Sequence, residues 1–184
     1  MIFLKSSAAM LALLPTVAFA QEADEDIVVT ASGFEQPRSE TGQAISVIDE
    51  ERLAELQATS ITDALRTLPG VTAVTRGPVG SQSAVFLRGG NGSQTLVLVD
   101  GVRINDPSSP NAAFDFGALL TGNIGRVEVL RGPNSIIWGS QAIGGVINGQ
   151  SIAPTEALVA RVAGEYGYAD SIKANANLSG TSGV

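Results

Sequence analysis

Chemistry in this chain has to come from carboxylates, guanidinium groups and the peptide backbone, because its 184 residues include no Cys and no His. That removes thiol nucleophiles, disulfides, His-based triads and the commonest zinc ligand. No catalytic residue, metal site or cofactor is expected. Three features still have reactive potential. The first is the β-prone run Ile27-Val28-Val29-Thr30, with Asp26 before it and Ala31 after. Its useful groups are main-chain N–H and C=O, so its chemistry is strand addition to the edge of another protein's sheet. An ordinary first strand of the domain is the alternative. The second feature is Arg88 and Arg131, each at a strand end beside Gly. If buried they need anionic partners; if solvated they need none. The third is the glycine-rich stretch 139–149, which could cradle phosphate. No Gly-Lys-Ser/Thr follows it, so tight turns packed against backbone are the simpler reading.

The elements that position these groups can be read from pattern. Leu96, Val97, Leu98 and Val99 form an unbroken apolar run. A strand shows alternate side chains to opposite faces, so this one needs cover on both and should lie mid-sheet. Burying four such side chains contributes roughly 6–12 kcal/mol. Asp100-Gly101 then turns the chain into a return strand at Val102, Arg103 and Ile104. Residues 44–48 read as a strand. Asp49 can cap the helix after it, with Glu50 and Glu51 in the favourable first turn and Leu53 and Leu56 on one face. Ser60-Ile61-Thr62-Asp63 has the form of a capping box opening a second short helix, ended by Pro69-Gly70. Residues 71–75, 85–87 and 126–130 read as strands, residues 76–83 as a loop, and residues 114–120 as a short helix. Ile136, Ile137 and Trp138 form an apolar patch. The 21 glycines and an aromatic share of 5% favour many turns over a helical bundle. A net charge of −7 argues against a nucleic-acid partner, which needs clustered Lys and Arg.

The two ends differ from this middle. Residues 1–20 carry Lys5, an apolar run from 8 to about 18, and the small-x-small ending Ala18-Phe19-Ala20. That is a secretory signal peptide, too short to span a membrane as a helix of about 20 apolar residues. Pro15 and the flanks oppose the alternative of a buried helix. At the other end, Leu158, Ala160, Val162, Tyr166 and Tyr168 alternate with Val159, Arg161, Ala163, Glu165 and Gly167. Ile172, Ala174, Ala176 and Leu178 alternate in the same way with Ser171, Lys173, Asn175 and Asn177. This is the dyad pattern of transmembrane β-strands, apolar to lipid and polar to lumen; a soluble hairpin is the alternative. Two strands cannot close a barrel, so the chain is expected to be the front part of a longer one.

These motifs, in this order, resemble the plug of TonB-dependent outer-membrane receptors. The resemblance rests on Ile27-Val28-Val29-Thr30-Ala31, Asp63-Ala64-Leu65 with Leu68-Pro69-Gly70-Val71, and Phe86-Leu87-Arg88-Gly89. It continues through Leu96 to Val102, Arg126-Val127-Glu128-Val129-Leu130-Arg131-Gly132-Pro133, and Trp138-Gly139-Ser140 leading into Ala142-Ile143-Gly144-Gly145-Val146-Ile147-Asn148. Residues 34–39 and Arg103-Ile104-Asn105 are most similar to cobalamin-transporting members. Gly149-Gln150-Ser151 departs from the family's usual continuation and leaves the plug-to-barrel junction open.

The resemblance implies an α+β fold: a small mixed-sheet plug with short helices, followed by the first antiparallel strands of a transmembrane β-barrel. Its divisions would be 1–20 signal peptide, 21–42 docking segment and linker, 43–150 plug, and 151–184 barrel start. In the family the plug fills a barrel of roughly 22 strands. Asp26, Ile27, Val28, Val29, Thr30 and Ala31 would dock the periplasmic protein TonB, which works with ExbB and ExbD. Ligand contacts carried across by position fall at Gln82, Ala84, Asn91, Ser109 and Pro110. Arg88 and Arg131 would pair with carboxylates of the protein's own barrel, which sits in outer-membrane lipid. The implied function is a gate for a scarce nutrient, cobalamin first and a ferric siderophore second. A signalling receptor would need an extra domain ahead of the docking strand, and a free periplasmic plug module would leave apolar strand edges exposed. Signal-peptide removal costs the chain Lys5, leaving ten basic and eighteen acidic residues, a net charge of −8. N-terminal sequencing of exported protein should start at Gln21; a product retaining Met1 would contradict the export signal.

Overall fold

The computed structural model describes residues 27–28, 30, 33–108, 112–167 and 170–180. In chain order its strands and helices are β1 (Ile27–Val28), β2 (Gln36–Pro37), β3 (Ala44–Asp49), α1 (Glu50–Glu55), α2 (Ile61–Leu65), β4 (Val71–Thr75), β5 (Ser83–Leu87), β6 (Thr95–Val99), β7 (Val102–Arg103), β8 (Ile124–Arg131), α3 (Ser135–Trp138), β9 (Gly145–Ser151), β10 (Val159–Gly167) and β11 (Ser171–Ser179). The main sheet runs β3-β8-β9-β6-β7. Its β6–β9 pair is parallel and the others are antiparallel. The fold is α+β, a mixed-sheet plug with short helices.

Local sequence explains most elements. The Asp49 carboxylate accepts from the Arg52 amide at 2.7 Å and starts α1. Ser60 and Asp63 close a capping box at the head of α2. The apolar run of β6 is interior as its pattern requires, with Leu96, Val97 and Leu98 buried. Asp100 (φ 49°) and Gly101 (φ 77°) both take the left-handed region, which makes the two-residue turn into β7. β7 covers only Leu98 and Val99 of β6. The Asn105 carboxamide serves the next stretch: its Oδ1 accepts from the Val97 amide at 2.8 Å, and its Nδ2 donates to the Thr95 carbonyl at 3.1 Å.

Three expectations change. The glycine-rich stretch is not only turns, because from Gly145 onward it is β9, the central strand of the sheet. Glycine there serves close approach. A Cβ on Gly145 would lie 2.2 Å from the Leu130 carbonyl oxygen and 2.6 Å from Leu87 Cδ1. The centre of the sheet is thus β9, with β6 beside it. The helix expected over 114–120 contracts to a 3-10 turn at Phe116–Ala118, capped by the Asp115 carboxylate. Finally, Ile27–Val28 is not isolated, since it pairs with Gln36–Pro37 inside the presumed linker.

Alternation sorts the sheet into two apolar faces. One face carries Ile48, Val97, Val127, Val129 and Ile147 and packs on Leu53, Ile61, Leu65, Leu87 and Phe116. The other carries Ile45, Leu96, Leu98, Leu130 and Val146 and packs on Val28, Ala142 and Trp138. Val28 is therefore part of the cover of the second face.

The β10–β11 hairpin keeps the alternating pattern. Ala160 pairs Leu178, Val162 pairs Ala176, and Tyr166 pairs Ile172. Leu158, Val162, Tyr166, Ile172 and Leu178 are all exposed. The opposite face carries the Glu165–Lys173 pair at 3.4 Å and turns toward α1 across a cleft that also includes Arg161, Asn175 and Asn177. No helix among the described residues is long and apolar enough to cross a membrane. Gly145→Ala should destabilise the domain by about 3 kcal/mol through overpacking against Leu130 and Leu87, read as a lower urea midpoint.

Candidate functional site

The docking run is held down by side chains. Val28 is fully buried in the second core, and Thr30 is also fully buried. The Thr30 amide donates to Glu128 Oε2 at 2.9 Å, and its hydroxyl donates to the same oxygen at 2.5 Å. Its carbonyl accepts from Trp138 Nε1 at 2.9 Å. The Ile27 carbonyl accepts from Arg126 Nη2 at 2.5 Å. Glu128 itself is wholly buried. Its other oxygen accepts from Arg126 Nε at 3.3 Å and from Gln150 Nε2 at 3.4 Å. Asp26, Val29 and Ala31 lie outside the described residues. Glu128, Arg126 and Trp138 escape motif reading as a group. The available signal is a carboxylate set between Val127 and Val129 in a strand with an apolar centre, since a buried charge demands donors.

A second cluster forms at the far end of β8. Arg131 donates from Nη1 to the Pro69 carbonyl at 2.7 Å and from Nη2 to Ser46 Oγ at 2.9 Å. Its Nε is buried with no partner. Arg88 stands beside it: Arg88 Cγ lies 3.8 Å from the position of a Cβ on Gly70, and Arg131 Cδ lies 3.9 Å from the same point. Burial, and then the nearby charges of Arg88 and Arg38, lower the Arg131 pKa from its ordinary value. Among the described residues no carboxylate is within ion-pair distance of Arg88 or Arg131. The structure thus brings these two sequence-flagged arginines together as a cationic cluster.

The positions flagged as ligand contacts are not gathered in one place. Gln82 is exposed just before β5, and Ala84 is half-buried on that strand. Asn91 follows its other end and caps the Gly92–Gln94 turn, accepting from the Ser93 amide at 3.2 Å. Five strand residues separate the ends by roughly 17 Å. Asn91 shares an open groove with Thr72, Phe86, Gly89 and Gly90. Ser109 and Pro110 lie outside the described residues.

The chain is a mixed sheet with a short N-terminal strand laid over one face and two arginines gathered at one end. The TonB-dependent receptor plug domain model matches residues 37–146, and the chain belongs to that family. Solved structures agree on the fold. The ferric yersiniabactin uptake receptor FyuA from Yersinia pestis is 26% identical over 76% of this chain and 22% of its own, with a TM-score of 0.61. The ferric-catecholate import receptor Fiu from E. coli K12 is 26% identical over 84% and 21%, with a TM-score of 0.67. The ferripyoverdine receptor of the outer membrane of Pseudomonas aeruginosa is 23% identical over 84% and 20%, with a TM-score of 0.68. The chain spans about a fifth of the length of these receptors.

Proposed function

We propose that this chain is the gate and first barrel strands of an energy-coupled outer-membrane receptor that imports a scarce nutrient. Residues 26–31 are its handle: freed from the domain, they add as a strand to TonB, which with ExbB and ExbD supplies the pull. The observation that carries this reading is how the segment is attached. Only two residues pair as a strand, with β2 at the domain's margin, and the other described contacts are the buried Val28 side chain and a few side-chain hydrogen bonds. Such a segment can leave without unzipping the main sheet. The hairpin supports the membrane setting, with an apolar face for lipid and a polar face toward the plug. Arg88 and Arg131 await carboxylates of the barrel wall. Gln82, Asn91, Ser109 and Pro110 remain proposed ligand-facing loop positions, with Ala84 on the adjoining strand β5 and an open groove beside Asn91.

A ferric siderophore is the favoured cargo, because FyuA and Fiu, the two 26%-identical neighbours compared above, are ferric-chelate receptors by name. Cobalamin is the second reading and rests on residues 34–39 and Arg103-Ile104-Asn105. Asn105 has a structural duty toward β6, which weakens that part of the match as a sign of cargo. Competitive titration of the full-length receptor with cobalamin and ferric siderophores separates the two. Val28→Pro removes a main-chain donor from the handle. It should reduce uptake to background while ligand binding and receptor abundance stay normal. Normal uptake would count against docking at this segment.

A further inference from the structure

We infer that Arg126, Glu128 and Trp138 form a clasp that holds the docking segment shut. The inference rests on the reading of residues 26–31 as a strand-adding handle. Strand addition uses the N–H and C=O groups of the incoming segment. Three such groups are already engaged by side chains: the Ile27 carbonyl by Arg126, the Thr30 amide by Glu128 and the Thr30 carbonyl by Trp138. The Thr30 hydroxyl adds a fourth bond, again to Glu128. A partner strand cannot bond to these groups until the clasp gives them up. Clasp and partner are therefore competitors for the same atoms.

The clasp is also built to open without collapsing. The second oxygen of Glu128 is held by Arg126 and Gln150, neither of which belongs to the departing segment. When Thr30 leaves, the carboxylate keeps a cation and gains water where the threonine stood. Arg126 alone contacts both the segment and the carboxylate, so it stays anchored after release. Trp138 stays packed against the rest of the second core after it gives up its N–H bond. Two defined arrangements result, one dry and one hydrated, with the same sheet underneath.

The test uses the full-length receptor without ligand, as wild type, Trp138→Phe and Glu128→Gln. Trp138→Phe keeps an aromatic ring and removes the N–H donor with a modest loss of ring packing, so it remains informative if Glu128→Gln folds poorly. Amide hydrogen exchange of the peptide covering 27–37 is read against peptides over β6 and β9, and the affinity of TonB's soluble periplasmic domain is measured on the same samples. The clasp requires exchange of the 27–37 peptide to speed up about tenfold, the scale of one lost hydrogen bond, with β6 and β9 unchanged. Affinity for the TonB domain should then tighten by a similar factor. Unchanged exchange in both variants overturns the clasp, whatever the partner does. Faster exchange with unchanged affinity upholds the clasp as the restraint and overturns the docking reading on which its purpose rests.

Discussion

The structure depends on a carboxylate buried in the middle of a sheet face. Glu128 lies between Val47 and Asn148 across β3, β8 and β9, on a face whose other residues are Ile45, Leu96, Leu98, Leu130 and Val146. A charge so placed is costly unless donors surround it. Here they come from Thr30, Arg126 and Gln150. The consequence is a difference between the two faces. The first is closed by helices and Phe116 mainly through apolar contacts, with Arg131 bonding the Pro69 carbonyl at its edge. The second is closed partly by hydrogen bonds to a carboxylate, which water can replace. One side of the sheet is sealed permanently, and the other carries a removable cover.

Much of this fold was legible because local signals agreed with one another. The Asp49 cap, the Ser60–Asp63 capping box, the Asp100-Gly101 turn and the apolar run of β6 each act over a few residues, and each appears where the chain announces it. What escaped was non-local. β9 reads as turns because glycine usually breaks strands, yet Gly145 is required by its approach to the Leu130 carbonyl on the neighbouring strand β8. The clasp escaped for the same reason: Thr30 and Glu128 are 98 residues apart. Arg88 and Arg131 stood out as strand-end cations, but their adjacency follows from where β5 and β8 end. The separation of Gln82 from Asn91 by β5 follows from the strand read at 85–87, which the structure extends to Ser83–Leu87.

Two surfaces of the chain are unfinished in complementary ways. The hairpin shows a row of exposed apolar side chains on one face and charged ones on the other. The Arg88–Arg131 cluster gathers like charges, and burial, with the nearby charges of Arg88 and Arg38, lowers the Arg131 pKa. A surrounding barrel would answer both, by continuing the hairpin's edges and by bringing carboxylates to the cations. β8 links this to the handle. Arg131 ends that strand and Glu128 sits three residues earlier, roughly 10 Å away. The strand that ends in the arginine cluster and the strand that holds the N-terminal segment are one.

A gate of this kind must hold its handle neither firmly nor loosely, and the magnitudes place it between. Burial of the Val28 side chain contributes roughly 1.5–3 kcal/mol. The two Thr30 bonds to a charged acceptor contribute roughly 1.5–3 kcal/mol each. Against this, ordering each backbone residue of the segment costs roughly 1–2 kcal/mol, and closing it orders several. The two sides cancel to within a few kcal/mol. A balance that fine can be tipped by a change in any single member of the clasp, or by a ligand that favours one arrangement by a similar amount. Had the second face been capped by leucines, the segment could leave only by exposing them, and no such adjustment would be within reach. The polar centre of that face is what makes a small signal sufficient.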